Sequence, residues 1–486
     1  MTPGGILKFY DSKMRSVPLL NICVLLSVTL AAALTVHMAH YPSGGDAQGY
    51  RNYARFYFRA VGPLSDFGTV RTYGYPFYLY LVSFLTGVDS DMKLIVGAAV
   101  TQYLLFSIAT LWLIREVKRY GGKLAFALAF GLLSNPLVLA LVTDTLSESL
   151  SIILVVAICA CLVGACRSVK WQNALLYLVV ASAFSFYATV VRPANIVVLI
   201  SVLLSAVALI VVHVNFKRNR ILGIALYAAS SVIAATIILG PQVLYNLHHW
   251  NQGTFLPVCR LGEMQFSFGV ALVKYETTML NCIAAGRYYL NPWLQGPLPT
   301  QDAWRWYLEN PSNGMMTILA HLFNAFDVRY LFTYITTLDA SYSVALHLGS
   351  WILNLLGLAQ LTLYAISTIS VGVRSRSFPS EAPLVLFVTL LILGITVLLA
   401  LTAVEVRFNA VPLTVLAIGG CYWLACFWNK RTSSQILFLG LVIFAACYLV
   451  QVSARMETNI SDTAPPEMST FDMKSIQCFG DRQPPK

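Results

Sequence analysis

The chain has 486 residues, of which 58% are hydrophobic and only 11% are charged. A soluble globular protein carries about 25% charged residues, so this composition excludes an ordinary soluble enzyme and indicates an integral membrane protein. The formal net charge of +11 is spread over short basic clusters between apolar runs. This distribution excludes a nucleic-acid-binding role and indicates membrane topology instead.

Eleven apolar runs have the length of membrane-spanning helices, which is about 20 residues. In chain order they cover residues 17–36, 92–114, 124–143, 147–166, 173–191, 195–215, 221–243, 343–371, 384–403, 410–428 and 435–453. The first run follows Lys13 and Arg15 and lacks a small-residue cleavage site. We therefore expect a retained helix there and not a signal peptide.

Basic clusters occupy every second connection between these runs. They are Lys8 to Arg15, Arg115 to Lys123, Arg167 to Lys170, Lys217 to Arg220, Arg374 to Arg376, and Lys430 with Arg431. The positive-inside rule then places the N-terminus in the cytoplasm and the C-terminus outside. Residues 1–453 are predicted to form one transmembrane domain with two long outer loops, 37–91 and 244–342. A polar, weakly ordered outer tail, 454–486, is predicted to follow.

Each outer loop contains a segment with the pattern of a helix lying on the membrane surface. Tyr73 to Gly87 is rich in Tyr and Phe but too short to span a bilayer. Met315 to Thr337 is amphipathic, with polar residues such as His321 and Asp327 interrupting an apolar face. Cys259 and Cys282 share the second outer loop. They either form a disulfide there or remain free thiols.

Charged residues stand at four outer positions beside apolar runs, and each has a structural alternative. Asp46 lies in the Gly-rich stretch GGDAQGY, where it is a candidate for chemistry or an ordinary turn residue. Asp144 and Glu148 are four residues apart and face one side of a helix, or Asp144 caps that helix. Arg192, before Pro193, binds a ligand or anchors a helix end.

The fourth position is Glu405 with Arg407 at the outer end of the ninth run. These two residues bind a ligand together or only neutralise each other. The four positions share one face with the longest loops, and that face suits glycosyl transfer from a lipid-phosphate donor. Arginines bind phosphate through a fixed fork of donors, and a carboxylate can accept the proton of an attacking hydroxyl. Aromatic residues can line the sugar and the lipid tail.

Ordered motifs along the chain resemble the GT-C superfamily of polytopic glycosyltransferases. The stretch GGDAQGY in this chain resembles the acidic motif that follows the first span in the family. Arg71 to Pro76 resembles the family's motif R-x-x-G-Y-P. Further along the chain, Ser147-Glu148 resembles the family's S-E motif and Arg192-Pro193 resembles its R-P motif. Glu405 to Phe408 resembles its E-x-R-Y/F motif. The exit to the large outer loop resembles Gly240 to Asn246 with Gly253 to Pro257. Together these motifs cover about residues 40–412.

The resemblance implies a GT-C-like helical fold, a polyprenyl-phosphate-linked sugar donor, and a glycan or lipid-linked acceptor. It implies that Asp46 is the catalytic base. The expected substrate-binding residues are Arg71, Tyr75, Asp144, Glu148, Arg192, Glu405 and Arg407. No cofactor is expected with certainty. A requirement for a divalent metal ion is left open. Many members carry a pair of adjacent acidic residues in the first loop, whereas Asp46 has no adjacent acid.

Size and topology are most similar to those of bacterial inner-membrane enzymes that modify O-antigen in lipopolysaccharide, including serotype-converting glucosyltransferases. Two alternatives stay open. A flippase or transporter for lipid-linked sugars would place ionisable groups near the membrane midplane and show two related halves. An O-antigen polymerase or ligase would use late-loop residues such as His321 and Arg329.

Overall fold

The computed structural model describes residues 28, 46–58, 71–87, 90–118, 122–133, 135–212, 219–257, 261–280, 283–299, 302–328, 344–375, 379, 381–402, 404–429, 432–456 and 460–461. Sixteen α-helices and one small sheet are formed within these residues. The helices are α1 (Asp46–Asn52), α2 (Gly74–Thr86), α3 (Asp91–Val117), α4 (Gly122–Leu133), α5 (Pro136–Thr143), α6 (Ser147–Arg167), α7 (Trp171–Val191), α8 (Ile196–Val212), α9 (Arg220–Trp250), α10 (Leu261–Ala271), α11 (Trp304–Glu309), α12 (Pro311–Phe326), α13 (Val344–Ser375), α14 (Ala382–Leu401), α15 (Ala410–Asn429) and α16 (Ser433–Met456).

Nine helices within the described residues are long and apolar enough to cross a membrane. They correspond to nine of the eleven predicted spans, and the predicted class, an all-α polytopic membrane protein, is confirmed. The predicted first span, 17–36, lies outside the described residues except for residue 28. The predicted span 124–143 is wrong as one continuous helix. It forms the two short helices α4 and α5, and the proline that opens α5 accounts for the break, since it cannot donate a backbone hydrogen bond.

Helix α6 is the centre of the bundle. In its most apolar window 94% of residues are buried inside the protein, compared with 17% for α9, α13 and α16. A helix that is apolar on every face is stable only when other helices or lipid surround it. The neighbours of α6 include α3, α5 and α7, whereas α9, α13 and α16 present most of their apolar surface outward.

The spans alternate in direction, so the bundle has two distinct ends. We call the end that carries Asp46 and the start of α6 the site end. The other end, where α6 finishes and α7 begins, is the opposite end. The basic connections predicted to be cytoplasmic join helices at the opposite end, for example between α3 and α4 and between α6 and α7. The connections that are rich in basic residues thus lie at one end of the bundle, and the connections that carry the acidic site residues lie at the other.

The predicted surface helix after Arg71 is present as α2. It ends at Gly87, whose left-handed backbone (φ 63°) caps the helix as glycine commonly does. At its other end Gly74 touches the end of α7 so closely that a Cβ would lie 2.5 Å from the carbonyl oxygen of Val190. Only glycine therefore fits where α2 meets α7, and this contact fixes the start of α2 beside Arg192.

The structure contains a three-stranded antiparallel sheet that the sequence did not predict, with two strands between α10 and α11 and a third after α16. Strand β1 (Leu272–Leu280) pairs with β2 (Ile283–Leu290), which pairs with β3 (Ile460–Ser461). The predicted tail, 454–486, thus starts with the last residues of α16 and includes the strand β3. The predicted amphipathic helix is present as α12, but it ends at Phe326, and residues 329–337 lie outside the described part of the chain.

A buried polar cluster connects the segment between α9 and α13 to the late spans α13 and α16. The Asp327 carboxylate, after α12, accepts hydrogen bonds from His347 Nε2 at 2.6 Å and Trp351 Nε1 at 3.1 Å in α13. It also accepts from Ser453 Oγ in α16 at 2.7 Å, and Lys274 Nζ of β1 lies 3.5 Å away. Burial raises the pKa of Asp327, but Lys274 and His347 outweigh that effect and hold it at about 2. The carboxylate is therefore ionised and its charge is compensated.

Candidate active site

Asp46 lies in the first turn of α1, and its carboxylate bridges two arginines from distant parts of the chain. Oδ1 accepts a hydrogen bond from Arg71 Nη2 at 2.8 Å, and Oδ2 accepts one from Arg407 Nη2 at 3.0 Å. Gly49 faces the Arg71 guanidinium, where a Cβ would lie 3.2 Å from Nη2. The Gly-rich sequence around Asp46 thus makes room for an arginine against the helix.

Arg407 links Asp46 to two further carboxylates. Its Nε donates to Glu405 Oε2 at 2.6 Å and lies 3.7 Å from Glu148 Oε1. Arg192 Nη1 reaches the same Glu148 oxygen at 3.2 Å. Three carboxylates and three guanidinium groups therefore form one connected set, which we call the charged centre. Its members are Asp46, Arg71, Glu148, Arg192, Glu405 and Arg407.

Helix ends bring the members of the charged centre together. Glu148 lies in the first turn of α6, where the helix dipole favours an acid. Arg192 is the residue that ends α7, and it has an extended backbone before Pro193. Glu405 is likewise extended and precedes a short 3₁₀ turn, Val406–Asn409. These charged residues therefore lie at the ends of apolar spans and not in their middle.

Burial differs sharply within the charged centre. The side chains of Glu148, Glu405 and Arg407 are 5%, 6% and 6% exposed, whereas that of Asp46 is 45% exposed. Buried charged groups are stable only when they are paired with groups of opposite charge. The three carboxylates and three guanidinium groups of the centre pair in this way. Asp46 is the acid of the centre that a substrate can reach without rearrangement.

Aromatic rings pack against the guanidinium groups. Phe408 lies beneath two of them, with its ring centroid 4.7 Å from Arg192 Cζ and 5.1 Å from Arg407 Cζ. Tyr50 lies 4.1 Å from Arg71 Cζ and donates a hydrogen bond to Ser147 Oγ at 3.2 Å. Such cation–π contacts are strongest where water is excluded, so the rings help to hold the arginines in place.

Tyr275 of β1 was missed by sequence reasoning. Its backbone N–H donates to Val404 O at 2.9 Å, its ring packs edge-on to Phe408 at 6.1 Å, and its hydroxyl accepts a hydrogen bond from Arg407. Burial raises the pKa of Tyr275 well above 10, so the hydroxyl is neutral. The sequence contained no signal for this role, because it depends on a strand pairing that the sequence did not predict.

Tyr75 and Asp144, both predicted to bind substrate, lie beside the charged centre and not in it. Tyr75 is fully buried, and its hydroxyl donates to Gln102 Oε1 at 2.8 Å. Gln102 Nε2 in turn donates to the carbonyl of Asp144 at 2.8 Å. Tyr75 thus supports the turn before α6, and a substrate would reach its hydroxyl only after repacking. Direct contact between Tyr75 and substrate stays a prediction.

The Asp144 carboxylate is half-buried, and one oxygen accepts from the N–H of Thr145 at 2.7 Å. Burial raises the pKa of Asp144 to about 6, against the opposing effects of the Thr145 hydrogen bond and of Arg407. It was predicted as a helix cap or a ligand-binding residue. Its carboxylate does not cap α6, because the residue that precedes the helix, Leu146, has no capping side chain.

The carboxyl groups of the site have pKa values displaced in opposite directions. Burial raises the pKa of Asp46, but Arg407 and Arg71 outweigh it and lower the value to about 2. Burial raises the pKa of Glu405 above its ordinary value despite the attraction of Arg407. Such divergence is characteristic of sites that handle protons.

The acids of the charged centre face guanidinium groups, which leaves little coordinating capacity for a cation. Within the described part of the chain, no group of three or more His, Cys, Asp and Glu side chains has the arrangement of a metal site. Arg329 and the two loop cysteines, Cys259 and Cys282, lie outside the described residues. His321 is fully buried, with its ring nitrogens 2.9 Å from the carbonyls of Ala400 and Leu272, so it joins two structural elements.

The fold and the charged centre together define a multi-pass helical membrane protein with a guanidinium–carboxylate site at one end of its bundle. No protein-family model matches the sequence, and no curated protein matches it. The chain is similar to a solved structure of the archaeal oligosaccharyltransferase AglB from Archaeoglobus fulgidus, in complex with an inhibitory peptide and a dolichol-phosphate. The TM-score is 0.44 and the sequence identity 13%, over 95% of this chain and 61% of that chain.

Proposed function

We propose that this protein is a membrane glycosyltransferase that transfers a sugar from a polyprenyl-phosphate donor to a cell-envelope glycan or lipid-linked acceptor. The observation that carries the proposal is the bridge that Asp46 makes between Arg71 and Arg407 at the end of the spans. The bridge supports the proposal because a reachable carboxylate lies beside guanidinium groups at the ends of apolar spans, where the phosphate of a lipid donor would lie.

The arginines of the charged centre are the proposed phosphate-binding groups. Arg71, Arg192 and Arg407 come from three different helix ends and converge there. A guanidinium group presents a planar fork of donors that matches phosphate. Phosphate contacts of this kind also stabilise the polyprenyl phosphate as it leaves, because negative charge develops on its bridging oxygen.

Asp46 is the proposed general base. The acceptor hydroxyl attacks the anomeric carbon, the new C–O bond forms as the bond to the phosphate oxygen breaks, and the hydroxyl proton passes to Asp46. A pKa of about 2 makes Asp46 a poor base while both arginines hold it. The donor phosphate competes for Arg71 and Arg407, so its binding removes the interactions that lower the pKa. Donor binding is therefore expected to activate the base.

Asp46→Asn and Asp144→Asn form a matched pair that tests the assignment. Purified variants are assayed for transfer of a labelled sugar from a synthetic polyprenyl-phosphate donor. General-base assistance is worth about 10²–10⁴-fold, so Asp46→Asn should lose activity by that factor while Asp144→Asn loses far less. Normal turnover by Asp46→Asn refutes this assignment. If Asp144→Asn is then the inactive variant, the base is Asp144, whose pKa burial raises to about 6.

Donor titration tests the phosphate site separately. Loss of a charge-assisted contact costs about 1.5–3 kcal/mol, so Arg192→Ala should weaken apparent donor affinity about tenfold or more. Arg192→Lys should recover only part of it, because a point charge replaces a fork. Unchanged donor affinity with lower thermal stability would show that the arginine only neutralises Glu148.

We place the charged centre on the periplasmic face of a bacterial inner membrane, with the N-terminus cytoplasmic and the C-terminus periplasmic. The basic connections at the opposite end support this orientation. Single cysteines replacing Arg220 and Asp302 in a cysteine-free background test it with a membrane-impermeant thiol reagent in intact cells. Labelling of the cysteine at 302 alone is expected, and labelling at 220 alone would invert the topology.

O-antigen modification of the serotype-converting type is the proposed biological role, and comparison of lipopolysaccharide by mass spectrometry with and without the protein tests it. The polymerase or ligase alternative loses support because His321 is buried between two carbonyls. The flippase alternative loses support because the charged centre lies at helix ends, whereas transporters place ionisable sites near the midplane.

A further inference from the structure

A second polar site lies at the opposite end of the bundle. A cavity of about 490 Å³ is lined by residues at the ends of α3 and α6 and at the start of α7, among them Arg115, Arg167 and Lys170. This volume is within the range of about 300–1,000 Å³ that small-molecule sites occupy. Helix α6 has 21 residues at about 1.5 Å each, so the cavity is separated from Glu148 by about 30 Å. It therefore lies at the other membrane interface.

The cavity carries a positive charge that no acidic residue in the described part of the chain balances. Arg167 is neutralised, because its Nη1 lies 3.0 Å from Glu116 Oε2 and also donates to the Glu116 carbonyl. Arg115 and Lys170 are exposed, and neither forms an ion pair with any residue that the structure describes. Two cations thus face one concave space.

The start of α7 adds to the attraction for an anion. Lys170 precedes α7 with an extended backbone, and no side chain caps the helix. The first backbone N–H groups of a helix lack intrahelical partners, and the helix dipole favours negative charge beside them. Asn173, in this first turn, also lines the cavity.

We propose that this cavity binds the phosphate-bearing headgroup of an anionic phospholipid, in the leaflet opposite to the charged centre. Basic pockets between spans at this depth are suited to lipid headgroups. Val169 and Leu176 are 85% and 65% exposed, and they offer apolar surface for acyl chains next to the cavity. A free anion would gain nothing from that surface. The proposal does not depend on the glycosyltransferase activity.

Native mass spectrometry of the full-length protein in detergent, titrated with phosphatidylglycerol or phosphatidylcholine, tests the proposal. The test variant is the double substitution Arg115→Gln with Lys170→Gln. The control is Arg220→Gln with Arg374→Gln, which removes two exposed basic residues from the same end of the bundle but outside the cavity. A thermal-shift titration with inorganic phosphate distinguishes a lipid headgroup from a free anion.

The unmodified protein should retain phosphatidylglycerol in preference to phosphatidylcholine. Two basic contacts at a lipid surface are worth about thirtyfold in affinity, so the test variant should bind phosphatidylglycerol about thirtyfold more weakly while the control binds normally. An equal loss of phosphatidylglycerol affinity in the control variant would show that basic residues anywhere at this end attract the anionic lipid. That result would overturn the proposal. Equal retention of both lipids, or stabilisation by inorganic phosphate as large as that by phosphatidylglycerol, would also overturn it.

Discussion

Removal of Arg407 is the most informative single perturbation, because this side chain connects three carboxylates. Arg407→Gln leaves Asp46, Glu148 and Glu405 with only two guanidinium groups among them. Loss of one partner from a buried ion pair costs about 3–5 kcal/mol. The short bond to Glu405, at 2.6 Å, is the buried part, whereas Asp46 is 45% exposed and water screens it. We therefore expect the free energy of unfolding to fall by about 3 kcal/mol.

A double-mutant cycle with Glu405→Gln separates this pair from general disruption. The double variant Glu405→Gln with Arg407→Gln restores equal numbers of positive and negative charges in the centre. Its loss should be smaller than the sum of the single losses by about 2 kcal/mol, within the range of about 0.5–3 kcal/mol found for contacting residues.

Denaturant titration of the purified protein in mixed micelles measures these free energies. Arg305→Gln is the control, because Arg305 pairs with Asp302 at 3.2 Å but both side chains are at least half exposed; it should change stability by less than about 1 kcal/mol. If Arg407→Gln costs no more than Arg305→Gln, or if Glu405→Gln gives no compensation, the charged centre is not held together as described.

Three further predictions concern the surroundings of the centre. The pKa of Asp144 is raised from 3.8 to about 6, so its ionisation lowers the stability of the folded protein as the pH rises through that range. Asp144→Asn should therefore raise the melting temperature at pH 8 and leave it unchanged near pH 4. A series of thermal melts at different pH values measures this. Gly74→Ala introduces a Cβ 2.5 Å from a carbonyl oxygen and should cost about 1–3 kcal/mol in unfolding free energy, whereas Gly349→Ala, with no atom within 4 Å, should be neutral or stabilising. Tyr275→Phe removes the hydroxyl that contacts Arg407 and should weaken apparent donor affinity about fivefold in steady-state assays, and an unchanged affinity would mean that Tyr275 does not position the arginine.

The sequence predicted nine of the spans and the end of the bundle at which the charged residues of the site lie. Apolar length and basic connections determine these features, and they place Asp46, Glu148, Arg192 and Glu405 at one end. The break before Pro136 also had a signal in the sequence, since proline interrupts a helix, but hydropathy over 124–143 concealed it.

Partners within the site could not be predicted in the same way. Asp46 and Arg407 are 361 residues apart, and either could have paired with another charged residue of the same end. Glu405 and Arg407 do pair with each other, which was the structural alternative, but Arg407 also reaches Asp46. Tyr275 required a strand that pairs with the segment at Val404, and local sequence carries no information on that contact.

The cluster around Asp327 has a consequence for how the protein is made. Its members are synthesised at different times, because Lys274 precedes α13 in the chain and Ser453 belongs to α16, the last span among the described residues. Until α16 is inserted, the Asp327 carboxylate lacks the hydrogen bond from Ser453 and cannot be buried at low cost. We therefore expect the segment between α9 and α13 to pack on the bundle only after α16 has been synthesised. A chain cut short before α16 would lack the hydrogen bond from Ser453 to Asp327, and we expect added protease to cleave its segment between α9 and α13 faster than in the full chain.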